Sequence, residues 1–150
     1  QQGYGYNVAE LRSEIGHILG IDKGHRLIII GVGHLGHALL QNFDFEKVGF
    51  HVDSAFDVSP DLIGTSIHAV TIRSMDELEQ YIADYRPDVA VLTVPQHVAQ
   101  PMASRLIDLG IKGFWNFTNV ELSTDKPDVF FEDVHFVDTL LTLSYRISRP

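Results

Sequence analysis

Three glycines, Gly31, Gly33 and Gly36, constrain what this chain can fold into. They stand at the G-x-G-x-x-G spacing directly behind a short apolar run, Leu27 to Ile30. A continuously apolar run of that length reads as a parallel strand buried on both faces. Gly31 suits the tight turn out of the strand. Gly33, without a side chain, lets the backbone approach a pyrophosphate. Gly36 lets the next helix pack closely on the sheet. That helix, with Leu35, Ala38, Leu39 and Phe43 at helical spacing, would offer an anion its free N–H groups and positive dipole end.

A glycine triplet is weak evidence until its context agrees. Here it lies between a predicted strand and a predicted helix. A second apolar segment, Val48 to Phe56, then ends on Asp57. An acid about 20 residues on is where a carboxylate meets the adenosine ribose. Asp57 is therefore placed at that ribose, and Val58 after it is counted among the cofactor-binding residues. No Arg or Lys follows closely, and Asp61 adds a further acid, which favours NAD(H) over its 2′-phosphorylated form.

The rest of the chain continues the alternation. A helix is predicted from Asn7, with Glu10 completing a capping box, Val8, Leu11, Ile15, Ile18 and Leu19 on one face, and Gly20 as the stop. Ala69 to Ile72 reads as a minor strand. Ser74 and Glu77 cap a helix whose apolar face is Leu78, Ile82 and Tyr85, ended by Pro87. Val89 to Val94 is a buried strand with Thr93, Val94 and Pro95 at its carboxyl end. The helix Gln96 to Leu109 turns Val98, Met102, Leu106 and Leu109 to the sheet. Gly113 to Phe117 is the next strand, with Asn116, Phe117 and Thr118 at its end. Val129 to Phe131 is the last. Strands alternating with helices give an α/β, Rossmann-type doubly wound parallel sheet, with an added N-terminal helix. Ligands of such sheets bind beyond the carboxyl ends of the strands.

Phe136 to Ile147 differs. Phe136, Val137, Leu140, Leu141, Leu143 and Ile147 leave almost no polar face on a helix. One sheet face cannot cover so wide an arc; burial in its own domain is the alternative, but cover by a partner subunit, as with a C-terminal helix exchanged between two subunits, is expected. The domains are accordingly 1–20, a linker and connector helix; 21–134, the dinucleotide-binding domain; and 135–150, the dimer-exchange helix.

Charge and size set limits. Twenty Asp and Glu against eleven Lys and Arg give a net charge of −9. That balance suits nucleic acid poorly, because phosphates must be neutralised by cations. There is no cysteine, which excludes disulfides and thiolate metal sites and fits a cytoplasmic protein. No apolar run is long enough to span a bilayer. The chain begins with Gln rather than Met and reads as a fragment. His34 and His37 share a helix face but gain no third ligand from nearby residues, so a metal site is not expected. Hydride-transfer chemistry needs a substrate pocket with an acid or base. The short tail after Asn116 offers only His135 as an obvious base, so the reading is a non-enzymatic binding domain with no catalytic residue.

Six segments together resemble a known family. They are Gly-Tyr-Gly-Tyr-Asn-Val-Ala-Glu-Leu, Ile-Ile-Gly-Val-Gly-His-Leu-Gly, Phe-Asp-Val-Ser-Pro, Leu-Thr-Val-Pro, Gly-Ile-Lys-Gly-Phe-Trp-Asn-Phe-Thr and Leu-Ser-Tyr-Arg-Ile. In this order, over nearly the whole chain, they resemble the Rex family of bacterial redox-sensing transcriptional repressors. The resemblance implies a homodimer that senses the NADH/NAD⁺ ratio and prefers NADH. It implies operator DNA bound through an N-terminal winged-helix domain outside this sequence, and release on NADH binding. It also implies that Gly31, Gly33, His34, Leu35 and Gly36 hold the pyrophosphate and Asp57 the ribose. Thr93, Val94, Pro95, Asn116 and Phe117 would border the nicotinamide half, with Phe136 approaching it. His135 stands where several members carry Asp, a departure that bears on any carboxylate-dependent sensing step. Two other readings remain: the cofactor domain of an NAD-dependent dehydrogenase, and a CoA-binding domain of the acyl-CoA ligase type. Asp57 at the ribose position argues against the second.

Overall fold

In the computed structural model, residues 24–149 are described. The helix expected from Asn7 and the 1–20 connector lie outside them. The described elements begin with β1 (His25–Ile30), α1 (His34–Asn42), β2 (Phe50–Asp57), β3 (Ser66–Ile67), β4 (Val70–Ser74) and α2 (Leu78–Tyr85). They continue with β5 (Val89–Leu92), α3 (Gln96–Asp108), β6 (Gly113–Asn116), β7 (Phe130–Asp133) and α4 (Phe136–Ser148). Among the described residues the strands form one seven-stranded sheet in the order β3-β4-β2-β1-β5-β6-β7. Every pairing is parallel except β3 with β4. This is the doubly wound α/β sheet that the glycine-turn pattern implies.

The first strand to be read from sequence is also the central one. Leu27 to Ile30 are at most 2% exposed. Their side chains divide between two cores. Ile28 and Ile30 face α2 and α3, together with Phe56, Leu78, Ala90, Leu92 and Phe114. Leu27 and Ile29 face α1, together with Val32, Leu40, Ala55 and Val91. β2 carries one extra residue against β1: Leu27 pairs with Val52, but Ile28 pairs with Ser54. The extra residue is Asp53, whose side chain is 1% exposed. Arg26 Nη2 stands 2.8 Å from it. Burial, and then the Asp53 charge, push the Tyr81 hydroxyl pKa up.

Several boundaries differ from expectation. Val48 belongs to a short 3₁₀ turn, Glu46–Val48, and Gly49 turns the chain at φ +87° before β2 starts. The minor strand is longer than Ala69 to Ile72 suggests, and it has an unforeseen antiparallel partner in β3. The hairpin turn runs through His68 and Ala69, both with positive φ. Ser74 and Glu77 do form a capping box, but its first turn is 3₁₀, Met75–Glu77. Tyr81, not Tyr85, completes the buried face of α2; Tyr85 stacks on it from outside. α3 is rotated from the expected face. Ala99, Ala103, Leu106 and Ile107 are buried, whereas Val98 and Met102 are half-buried. Two alanines allow the helix backbone close to the sheet, and close approach outweighs the larger side chains. The fifth and sixth strands stop at Leu92 and Asn116, and β7 runs on to Asp133.

Phe56 is fully buried and its ring meets that of Tyr81 edge-on at 5.4 Å. Phe56→Ala should cost about 3–5 kcal/mol of folding stability, measured by chemical denaturation. A loss under about 1 kcal/mol would place Phe56 outside the core.

Candidate functional site

Each central strand ends with one more backbone hydrogen bond to its neighbour. Gly31 N–H donates to Phe56 O, Thr93 N–H to Ile30 O, Phe117 N–H to Leu92 O, and Val134 N–H to Asn116 O, all at 2.8–3.0 Å. These bonds bring the ends of β2, β1, β5, β6 and β7 to one edge. All the residues singled out by sequence lie along that edge. Gly31 to Gly36, Asp57 and Val58 sit at one end, Thr93 to Pro95 in the middle, and Asn116 to Thr118, His135 and Phe136 at the other.

The glycines act differently. Gly31 has φ +96°, a conformation that L side chains rarely adopt, and an added Cβ would lie 2.9 Å from Thr93 O. A Cβ on Gly36 would collide with the Gly31 carbonyl oxygen. This pair is closed by packing. Gly33 is open: a Cβ there would meet nothing within 4 Å. Space for an anion is therefore in front of Gly33, at the start of α1.

The helix ends point the same way. α1 begins at N-cap Gly33 with no side-chain cap and no acid in its first turn. α3 begins at N-cap Pro95 and likewise has no side-chain cap and no first-turn acid. By contrast, the turn leading into α2 is capped by Ser74 and carries Asp76 and Glu77. An uncapped N-terminus leaves free N–H groups and a positive dipole end. Both ends lie at the carboxyl edge: that of α1 opens at the glycine turn itself, and that of α3 follows Thr93, whose hydroxyl bonds to Gly31 O.

Asp57 holds the turn from the other side. Its carboxylate accepts from Val32 N–H at 2.6 Å and from Ser59 N–H at 2.8 Å. Val58 beyond it is 79% exposed. Neither Val32 nor Ser59 was singled out by sequence. The Ser59 bond is an Asx turn, which the order Asp-Val-Ser-Pro could have signalled. The Val32 bond spans 25 residues and leaves no local signal. Thr93 donates its hydroxyl to Gly31 O at 2.5 Å, so its side chain points at the glycine turn.

The far end is aromatic and acidic. Phe117 and Phe136 approach to 5.8 Å between ring centres. A cavity of about 430 Å³ lies beside them, lined by Asn119, Glu121, Asp133, His135 and Asp138 among others. His135 Nδ1 stands 3.5 Å from Asp138. Among the described residues no group of three or more His, Asp and Glu side chains could hold a metal ion. At the opposite, amino-terminal end of the strands an apolar groove of about 390 Å³ runs past Leu27, Phe45, Phe50, Val89, Trp115 and Phe130.

Comparison with known proteins decides the family. The redox-sensing transcriptional repressor Rex of Caldicellulosiruptor saccharolyticus is 45% identical over 149 residues, covering 99% of this chain and 68% of the relative. The chain belongs to the Rex family. It spans about two thirds of the length of the curated Rex repressors it matches. Residues 22–120 also match the CoA binding domain family. Two solved structures of RSP, a Rex-family repressor, superpose with TM-scores of 0.86. RSP with NADH is 42% identical, covering 97% of this chain and 70% of RSP. RSP with NAD⁺ and operator DNA is 44% identical, covering 98% of this chain and 67% of RSP.

Gly36→Ala and Gly33→Ala should separate packing from access. The first should cost about 1–3 kcal/mol of stability or more, through the clash with Gly31. The second should cost less than about 1 kcal/mol, as a change of N-cap residue without a clash. Chemical denaturation of both variants checks this; equal losses would contradict it.

Proposed function

We propose that this chain is the NADH-sensing domain of a redox-responsive transcriptional repressor, a homodimer acting in the cytoplasm and not an enzyme. Membership of the Rex family supports this, as do the RSP structures described with NADH and with NAD⁺ and operator DNA. The observation in this chain that carries it is the open position at Gly33 at the uncapped N-terminus of α1. In this reading Gly31, Gly33, His34, Leu35 and Gly36 hold the pyrophosphate. Asp57, already oriented by Val32 and Ser59, takes the adenosine ribose with Val58 beside it, and its charge repels a 2′-phosphate. Thr93, Val94, Pro95, Asn116, Phe117, Thr118, His135 and Phe136 border the nicotinamide half.

Sensing rests on charge. The oxidised nicotinamide ring is a cation and the reduced ring is neutral. This reading places the ring against Val94, Phe117 and Phe136, which carry no charge to pair with a desolvated cation, and not among Glu121, Asp133 and Asp138 of the neighbouring cavity; unpaired desolvation of the charge costs several kcal/mol. Attraction of the cation to an aromatic face returns about 0.5–2 kcal/mol and does not offset it. Binding can switch the protein only by preferring one dimer arrangement over another.

α4 supports the dimer. None of its residues is buried in the single chain, and Leu140, Leu141 and Ile147 are 61–75% exposed. A continuous apolar surface of this kind marks an association site. In our reading the helix 135–150 packs on the partner subunit, and residues 1–20 connect to the part of the relatives that this chain does not span. That part makes the operator contact, since a domain of net charge −9 is a poor partner for phosphates. No described helix is long and apolar enough to cross a membrane. The CoA-binding reading has the domain match in its favour, but that match ends at residue 120, before β7 and α4. The Rex relatives account for both.

Calorimetry should show NADH binding at least about tenfold more tightly than NAD⁺, a difference of about 1.4 kcal/mol or more. Gly33→Ala should weaken NADH at least as much, because the new methyl occupies the open position. Equal affinity for the two cofactors would contradict the sensor reading. By sedimentation the chain should be a dimer, and Leu140→Asp with Leu141→Asp should make it a monomer.

A further inference from the structure

Asn116 is 1% exposed at the end of β6. Its amide nitrogen donates to Val120 O at 2.8 Å and to Asp133 Oδ1 at 2.9 Å. Its amide oxygen accepts from Thr118 N–H at 3.0 Å and from the Thr118 hydroxyl at 2.6 Å. An amide side chain has two donors and two acceptors. All four are occupied within the protein, so this side chain has nothing left with which to recognise a ligand.

Three of the four bonds close one segment on itself, and the fourth joins it to a second. The first is the turn from Asn116 to Val120, at the carboxyl edge. The other is the end of β7, three residues before α4 begins. The backbone repeats the connection, because Val134 N–H donates to Asn116 O at 2.9 Å. The side chains repeat it again, with Phe117 against Phe136. On its other side the same turn is bonded to β5, through Phe117 N–H and Leu92 O. From there Thr93 reaches the glycine turn through its hydroxyl. Hydrogen bonds thus run from the glycine turn to Asp133 and Val134 at the end of β7, and the contact of Phe117 with Phe136 carries the connection to the start of α4.

We propose that Asn116 is a positioning residue that sets the start of α4 through Asp133, so that ligand-induced movement of the carboxyl edge reaches the helix that joins the subunits. The proposal rests on the reading of this edge as the NADH site. Contiguity is not coupling. The link must be broken without disturbing the pocket. Asp133 lines the cavity beside Phe117 and Phe136 but is not among the residues assigned to the nucleotide, so the NADH affinity of its variants checks that the pocket is kept. Asp133 is exposed, so its replacement leaves the core intact, and its carboxylate is the group through which the Asn116 side chain bonds to β7.

The test compares the wild-type chain, Asp133→Ala and Asp133→Asn. Calorimetry gives NADH affinity, and amide hydrogen exchange gives the protection of the first two turns of α4 with and without NADH. In the wild type NADH should change that protection by about fivefold or more. Asp133→Ala should bind NADH within about threefold of the wild type, and the change in α4 should fall below about twofold. Asp133→Asn keeps an oxygen facing Asn116 and should behave as the wild type. A merely structural role would move stability or affinity and leave the NADH-dependent change in place. An alanine variant that binds NADH and keeps the full change in α4 overturns the inference but not the sensor reading. So does an alanine variant that loses NADH, since Asp133 is then part of the pocket. A wild-type chain that does not bind NADH overturns both.

Discussion

The carbonyl oxygen of Gly31 is the point on which the rest of the molecule depends. Thr93 donates a hydrogen bond to it from the end of β5. The Cα of Gly36 packs so closely against it that no side chain fits there. Strand, glycine turn, helix and neighbouring strand are therefore fixed to one atom. The N-terminus of α1 is thereby held at the carboxyl edge of the sheet, where a doubly wound fold places its ligand. Rigid placement matters more than the number of donors, since a dipole aimed a few ångströms off loses most of its effect within one helical turn.

The treatment of helix ends follows from that placement. Where the chain has only to start a helix, before α2, it uses Ser74 with Glu77 and adds Asp76. Where a helix starts at the crevice it uses Gly33 and Pro95 and leaves the first-turn N–H groups without a side-chain partner. The bare N-termini lower the stability of the protein alone and keep donors for an anion. The same division between folding and function recurs at the other end of the edge. There Asn116 is fully satisfied and buried, while Phe136 and the helix it begins are exposed.

Much of this is legible in the amino-acid sequence. The apolar run Leu27 to Ile30, the three glycines and Asp57 define the β1–α1–β2 unit by local pattern alone, and the wide apolar arc from Phe136 signals a surface the single chain cannot cover. What was not legible depends on long-range geometry. The antiparallel strand Ser66–Ile67 is two residues long and its turn uses His68 and Ala69, where a glycine would have signalled positive φ. The sheet-facing side of α3 was misread because Val98 and Met102 are more hydrophobic than Ala99 and Ala103, although only the alanines allow close packing. Asp133 pairs with Asn116 across parallel strands in register, and a contact of that kind has no sequence signature. Thr93 was read as bordering a ligand. Its hydroxyl bonds to Gly31 O, a contact that local sequence cannot reveal.

In the proposed reading the nucleotide lies along the carboxyl edge, with its charge at the start of α1. Mapping backbone amide chemical shifts during an NADH titration tests it most directly. The largest changes should fall on Gly33, His34 and Leu35, on Val94, and on Phe117. Changes concentrated instead at the amino-terminal groove, around Leu27, Phe45 and Trp115, would contradict it.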